Sequence, residues 1–306
     1  MIIFNNINKK LKKIIIIICL SIIFVSSIVL VKILLIDPKT SENKIQKARD
    51  VYENEEHDVY DKNVSEKLAP LAEANSDIKG WLKIENTPID YPVVQSSSEN
   101  PLFYLNRNYL KQKDVNGSIF INAFMPFGKN IQNVVLHGHS MRNGTMFAAL
   151  LKFHDINVYK KSHIINFDTI LGTGKWKIFA VFKTNTLEKH GKIFNYLLPT
   201  FNSEKDFFEF IYKIRIRSML DIPVDITKND KILTLSTCSY EMPEFRTVVA
   251  ARKLRRAESE KINLDAVKTV QNPLMPEAWC KTRGRKVPEF PSFEDALKNG
   301  DINWIK

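Results

Sequence analysis

Three cysteines in 306 residues are too few for the multi-bridge framework of a small secreted domain. Only Cys238 and Cys280 could form a bond outside the N-terminal apolar run, which contains Cys19. Motifs for nucleic-acid binding are missing, and so are internal repeats. Acidic residues are absent from the first 36 positions, which hold five lysines. From Ile14 to Val31 there is no charge of either sign. Continued past Lys32 to Ile36, that stretch reaches the roughly 20 apolar residues a membrane-spanning helix needs. No small-x-small cleavage site follows it, which argues against a removable signal peptide.

The expected organisation follows from these absences. Residues 1–13, with Lys9, Lys10, Lys12 and Lys13, form a cytoplasmic tail, and 14–36 form a retained transmembrane signal-anchor. Everything after Asp37 lies on the extracellular side of the cell membrane. That part carries about +6, a basic excess suited to an anionic wall or membrane surface. It is long enough to bury one ordinary core.

Between Thr40 and Asn75, Ile45, Ala48, Val51 and Tyr52 recur at helical spacing, and a second short helix is expected after Ser65, with Pro70 in its first turns. Residues 37–75 therefore read as a helical stalk or lid. From Trp81 the texture changes to short β-type runs: "WLKI", "IDYPVVQ", "GSIFIN", "NVVLHGH", "SHIINF", "KWKIFAVFKT", "KILTLSTC" and "RTVVAARKL". Eight strands this closely spaced leave no room for a crossover helix between each pair. They predict a mainly antiparallel barrel or sandwich. Helices are expected over Thr145–Phe153 and, capped by Ser203, over Ser203–Leu220. Residues 257–306 are rich in charge and proline, with a possible small helix in "NLDAVKTV" and with Trp279 and Trp304 as anchors.

Three stretches carry side chains suited to nucleophilic catalysis. Cys238 ends an apolar strand among Ser236, Thr237 and Ser239, and a neighbouring cation would favour its reactive thiolate. Arg246 opens the next strand after a seven-residue connection. A hairpin would bring its guanidinium beside the sulfur, where it could hold a developing oxyanion. In "VVLHGHSM", His137 and His139 lie two apart and so face one side of a strand, with Gly138 opposite.

Together these segments resemble the sortase family of cell-wall transpeptidases: "TLSTC" followed by an Arg-led apolar strand, with "GH" ending an earlier strand. "DIKGWLKIENTPIDYPVVQ", "FYLNRNYL", "GSIFIN" and the long helix before "KILTLSTC" are similar to class B members. The likeness runs from about Leu68 to Arg256. It implies a mainly β fold, a closed eight-stranded sortase-type barrel over 76–256, with N-terminal helices and a long helix before the nucleophile strand. It implies Cys238 as nucleophile, His139 as general acid/base and Arg246 as oxyanion or substrate clamp, with Asn100, Leu105, Thr186 and Ser236 as substrate-binding positions matched by segment. His137 does not align with the family's catalytic histidine and is taken as a neighbour. Some class B members carry an acid shortly after the cysteine, whereas here Ser239 and Tyr240 precede Glu241.

The implied reaction exchanges one amide for another and needs no ATP, metal or organic cofactor. Its partners would be secreted proteins bearing a C-terminal Asn-Pro- or Ser-Pro-type sorting signal with a threonine, a peptidoglycan or lipid-linked precursor amine, and the membrane, with no nucleic acid. Two other readings of the residues stay open. One is a metal site using His137, His139 and Cys238. The other is a non-catalytic tethered scaffold whose Cys238 is buried or bonded to Cys280.

Overall fold

The computed structural model describes residues 9–54, 64–128 and 130–306. Residues 1–8 of the expected tail and 55–63 of the expected stalk lie outside them. The chain forms two compact units, divided between Lys47 and Ala48.

The first unit holds helix α1 (Lys9–Val31), a π-helical turn over Lys32–Ile36 and the opening of α2 (Asp37–Asn54). Among the described residues, one helical run, Lys9–Glu53, is long and apolar enough to cross a membrane.

The second unit begins inside α2. There Ala48 is buried, Tyr52 stacks on Trp81 at 4.6 Å, and the Tyr52 hydroxyl donates to Asp168 Oδ2 at 2.6 Å. Helix α3 (Val64–Ala74) follows and buries Leu68 and Leu71. Pro70 falls in its second turn, within the first turns as expected.

All eight expected strands form: β1 (Ile78–Lys83), β2 (Asp90–Gln95), β3 (Ile119–Ile121), β4 (Asn133–His137), β5 (Ile164–Thr169), β6 (Lys175–Asn185), and, after the two-residue β7 (Leu220–Asp221), β8 (Ile232–Ser239) and β9 (Phe245–Lys253). They close into a barrel in the order β1-β2-β3-β4-β8-β9-β6-β5. The barrel is mixed rather than uniformly antiparallel, because β2–β3 and β4–β8 are parallel. Parallel neighbours need a long connection. Residues 96–118 supply one, and the whole excursion through β5, β6 and β7 supplies the other. Ile121, Leu136, Leu235, Val249 and Val181 stand in register across five adjacent strands and are fully buried.

The remaining helices are short. Thr145–Phe153 forms a 3₁₀ segment, Phe147–Lys152, rather than an α-helix, with Phe147 and Leu150 buried three apart as the 3.0-residue turn dictates. Helix α4 (Ile156–Lys161) follows. The long helix α5 (Glu204–Arg215) begins at the expected cap, where Ser203 Oγ accepts from Asp206 N at 3.1 Å, but it stops five residues before Leu220.

Residues 257–306 pack onto the barrel. A 3₁₀ turn (Leu264–Ala266) replaces the small helix expected there and leads into β10 (Lys268–Thr269), which pairs with β7. Helices α6 (Glu277–Thr282) and α7 (Phe293–Lys298) follow, and Trp304 packs against Phe208 and under Arg215. Two buried salt-bridge partners, Arg252 and Asp230, join Arg255, Asp225 and Glu258 in fastening the start of this segment.

Candidate active site

The site is built on β4, β8, β9 and β6. Side chains at paired positions share a face of a sheet, and successive ones alternate. Cys238 on β8 stands directly opposite Arg246 on β9, and Arg246 stands opposite Thr184 on β6. Ser236 shares the Cys238 face, and His137 on β4 pairs with Ser236. The expected hairpin therefore forms, with sulfur and guanidinium at one end of it. Both side chains are partly exposed.

Past β4 the ladder continues by one bond, Gly138 N to Ser236 O at 3.3 Å. Thr237 Oγ1 also donates to Gly138 O at 2.8 Å. These bonds hold the residue after Gly138, His139, at the strand end beside the residue after Thr237, Cys238. The glycine between the histidines has a packing cause. A Cβ there would come within 2.4 Å of Ile119 Cδ1 and 2.9 Å of Phe147.

His139 is held from two sides. Its carbonyl accepts from Phe147 N at 2.8 Å, and its ring Nε2 lies 2.7 Å from Leu105 O. A carbonyl can only accept, so Nε2 carries the proton and Nδ1 is left for exchange. The Leu105 carbonyl is in turn backed by Gly117, at φ +61°, where a Cβ would lie 2.5 Å from Leu105 O.

Arg246 is held by its own turn. Nη2 donates to Glu244 Oε2 at 3.0 Å and Nη1 to Phe245 O at 3.1 Å. Glu244 has a left-handed backbone, φ 59°, and its carbonyl accepts from Thr186 N and Thr186 Oγ1. Thr186 thus sits beside the arginine.

The other segment-matched positions divide. Leu105 is exposed and its carbonyl is bonded to His139, and Asn100 is exposed in the turn that leads to Leu105. Ser236 is only 1% exposed, and its hydroxyl is shared with Tyr196 Oη at 2.8 Å. It is an inner support of this face, with no open surface for a ligand.

Sequence reasoning missed Tyr196. Burial pushes its phenol pKa up, and it lies near enough to Arg246 and Cys238 to feel the charge of each. "FNYLLPTF" contains no motif that marks it. His137 is pushed down to about 4, first by burial and then by the Arg246 charge. Its Nε2 is buried without a hydrogen-bond partner, and its ring faces Phe120 at 5.5 Å. Glu241 pairs with Lys183 and accepts from Ser239 Oγ.

Neither of the other two readings of these residues finds its geometry. Among the described residues, no three His, Cys, Asp or Glu side chains gather as a metal-binding group, so His137, His139 and Cys238 do not form one. Cys238 and Cys280 are both free, Cys280 being buried in α6.

What the arrangement can do is attack a carbonyl. A partly exposed thiol faces a fixed cation able to hold the oxygen's developing charge, with an imidazole at the adjoining strand end to move the proton. That is the chemistry of a cysteine acyl transferase. The family model for the Sortase domain matches residues 82–254, and the chain belongs to the sortase family. Its relatives there are class B enzymes. Sortase B of Staphylococcus aureus is 31% identical over 199 residues, which cover 64% of this chain and 78% of that protein. Sortase B of Listeria monocytogenes is 33% identical over 183 residues, 58% of this chain and 69% of the relative. Among solved structures, the Staphylococcus aureus sortase B–substrate complex superposes with a TM-score of 0.64 at 27% identity, covering 72% of this chain and 99% of that one. Sortase B from B. anthracis in complex with AAEK1 gives 0.62 at 27%, covering 73% and 100%. The protein is a class B sortase, a cysteine transpeptidase of the cell wall. Residues 255–306 lie beyond the family match.

Proposed function

We propose that this enzyme is anchored by residues 14–36, with its N-terminus in the cytoplasm, and joins secreted proteins to the wall at the outer membrane face. The lysines before the apolar helix support that orientation. The substrate is a C-terminal sorting signal of Asn-Pro or Ser-Pro type containing a threonine. The solved substrate complex of the Staphylococcus aureus relative supports substrate binding by this fold.

Cys238 thiolate attacks the threonine carbonyl carbon. Arg246 receives the oxyanion of the tetrahedral adduct, and His139 gives a proton to the departing amine as the C–N bond breaks. A thioester remains on Cys238. An amine from peptidoglycan or its lipid-linked precursor then adds to the thioester carbon, His139 takes its proton, and the thiolate leaves. Bonds balance: one amide is lost and one is made, with no outside energy source.

The observation that carries this reading is the direct pairing of Cys238 with Arg246. Asn100, Leu105 and Thr186 are assigned to the peptide's path, Leu105 and Thr186 through their bonds to His139 and Glu244. The test is to incubate the detergent-solubilised protein with a library of sorting-signal peptides and read acyl-enzyme mass. A thioester on Cys238 ending in threonine, absent from Cys238→Ala, is the expected result. Peptide cleavage that survives Cys238→Ala would refute the reading.

A further inference from the structure

Beneath the catalytic face lies a charged cluster that the reaction does not use. Lys183 stands on β6 beside Thr184, the residue opposite Arg246, and pairs across the sheet with Thr247. It is 8% exposed. Its ammonium contacts the carboxylate of Glu241, which also accepts from the hydroxyl of Ser239, the neighbour of Cys238. Glu241 belongs to the turn between β8 and β9, so this one carboxylate ties that turn both to β8 and to β6.

The C-terminal segment closes the cluster. Met275, Glu277 and Val287 line a cavity of about 210 Å³ together with Lys183, Thr184 and Arg217. Glu277 also packs on Gly191 and accepts from Lys192 N at 3.4 Å. The segment is pinned at Val270 N to Met219 O (2.9 Å) and at Leu274 N to Ile216 O (2.8 Å). A lysine so enclosed needs an anionic partner, and a buried pair is intolerant of losing one member. Burial, reinforced by Arg283, pulls the Lys183 pKa down to about 8. Arg217, Lys192 and Glu277 line the same cavity, and the carboxylate in contact with the Lys183 ammonium is that of Glu241.

We propose that Lys183 and Glu241, closed in by residues 274–287, form a positioning clamp that holds the β8–β9 turn and thereby the opposition of Cys238 and Arg246. The C-terminal segment is then a working part of the catalytic unit. The inference rests on the reading of Cys238 as nucleophile.

The test uses the full-length protein with Lys183→Met, Glu241→Gln and the double variant, each assayed well below its melting midpoint. Glu241→Gln keeps an oxygen for Ser239 while removing the charge. If Lys183→Met fails to fold, Glu241→Gln alone decides. Each single change should lower the maximal rate of acyl-enzyme formation at least threefold, with KM moved less than twofold. The double variant should be no slower than the slower single one. Smaller losses in rate, losses confined to KM, or losses that multiply in the double variant would overturn the clamp. Alkylation of Cys238 by iodoacetamide, which needs no peptide, is read in parallel. If the wild type forms no acyl-enzyme, the nucleophile reading fails, and the clamp is judged by whether alkylation changes at least threefold.

Discussion

Cys238 and Arg246 are directly opposed residues of one antiparallel pair, and Arg246 is at the same time bonded to Glu244, two residues before it. The guanidinium is thus fixed, on the residue opposite Cys238, before any substrate arrives. A planar fork can keep Glu244 with one nitrogen and offer others to an oxyanion, whereas an ammonium has no such geometry. Arg246→Lys should lower kcat/KM for acylation by roughly 10²-fold or more, the scale for losing a preorganised oxyanion donor. Initial rates of acyl-enzyme formation measure it, and near-normal turnover in the variant would remove Arg246 from its role.

Gly117 has no chemistry, yet a change there should reach His139, the proposed general acid/base. Its left-handed φ of +61° and the 2.5 Å approach of a would-be Cβ to Leu105 O leave no room for a side chain. Gly117→Ala must displace the carbonyl that orients His139 Nε2, besides straining the backbone by about 1 kcal/mol. The expected outcome is a fall in kcat of at least about tenfold, with a melting temperature lowered by only a few degrees. Loss of stability without loss of kcat at a temperature where the variant is folded would contradict it.

How much of this could be read beforehand depends on where the information sits. The eight strands and the Cys238–Arg246 hairpin were legible because β-branched runs and a seven-residue connection are local features. The implied barrel was legible through the family likeness. The two parallel pairings were not legible locally, since they arise from long connections whose paths only tertiary packing decides. Gly138 was visible as a strand-end glycine, but its cause, the crowding by Ile119 and Phe147, lies in partners 19 and 9 positions away. Tyr196 was invisible for the same reason: its partner, Ser236, is 40 residues on. Glu241 was visible only as an acid three residues past the cysteine; its partner on β6, Lys183, lies 58 positions away and was not legible.

The Tyr196–Ser236 bond should contribute to stability. Both groups are buried, so deleting one hydroxyl leaves the other unsatisfied. Tyr196→Phe should cost about 1–3 kcal/mol, measured by urea denaturation of the full-length protein in detergent. Adding Ser236→Ala to it should cost little more, because the stranded hydroxyl is then gone. Additive losses from the two changes would mean that the hydroxyls act separately.

His137 should make the fold acid-sensitive without taking part in turnover. Burial and the Arg246 charge lower its pKa from 6.5 to about 4, so the native state refuses a proton that the unfolded chain accepts. The sign follows from linkage: the unfolded state binds more protons between these two values, and stability falls as pH drops from 6.5 towards 4. Above 6.5 the contribution is complete; by about pH 4 it is lost, to the extent of about 1–3 kcal/mol. His137→Phe keeps an aromatic ring against Phe120 and removes both the titration and the unpaired Nε2. Denaturation curves from pH 4.5 to 7.5 should therefore be flatter for the variant, while other titrating groups cancel in the difference. Acylation at neutral pH should stay within a few-fold of wild type, because the proposed proton transfer runs through His139. A variant that is as acid-sensitive as the wild type, or one that loses acylation by 10²-fold while folded, would show that His137 does something else.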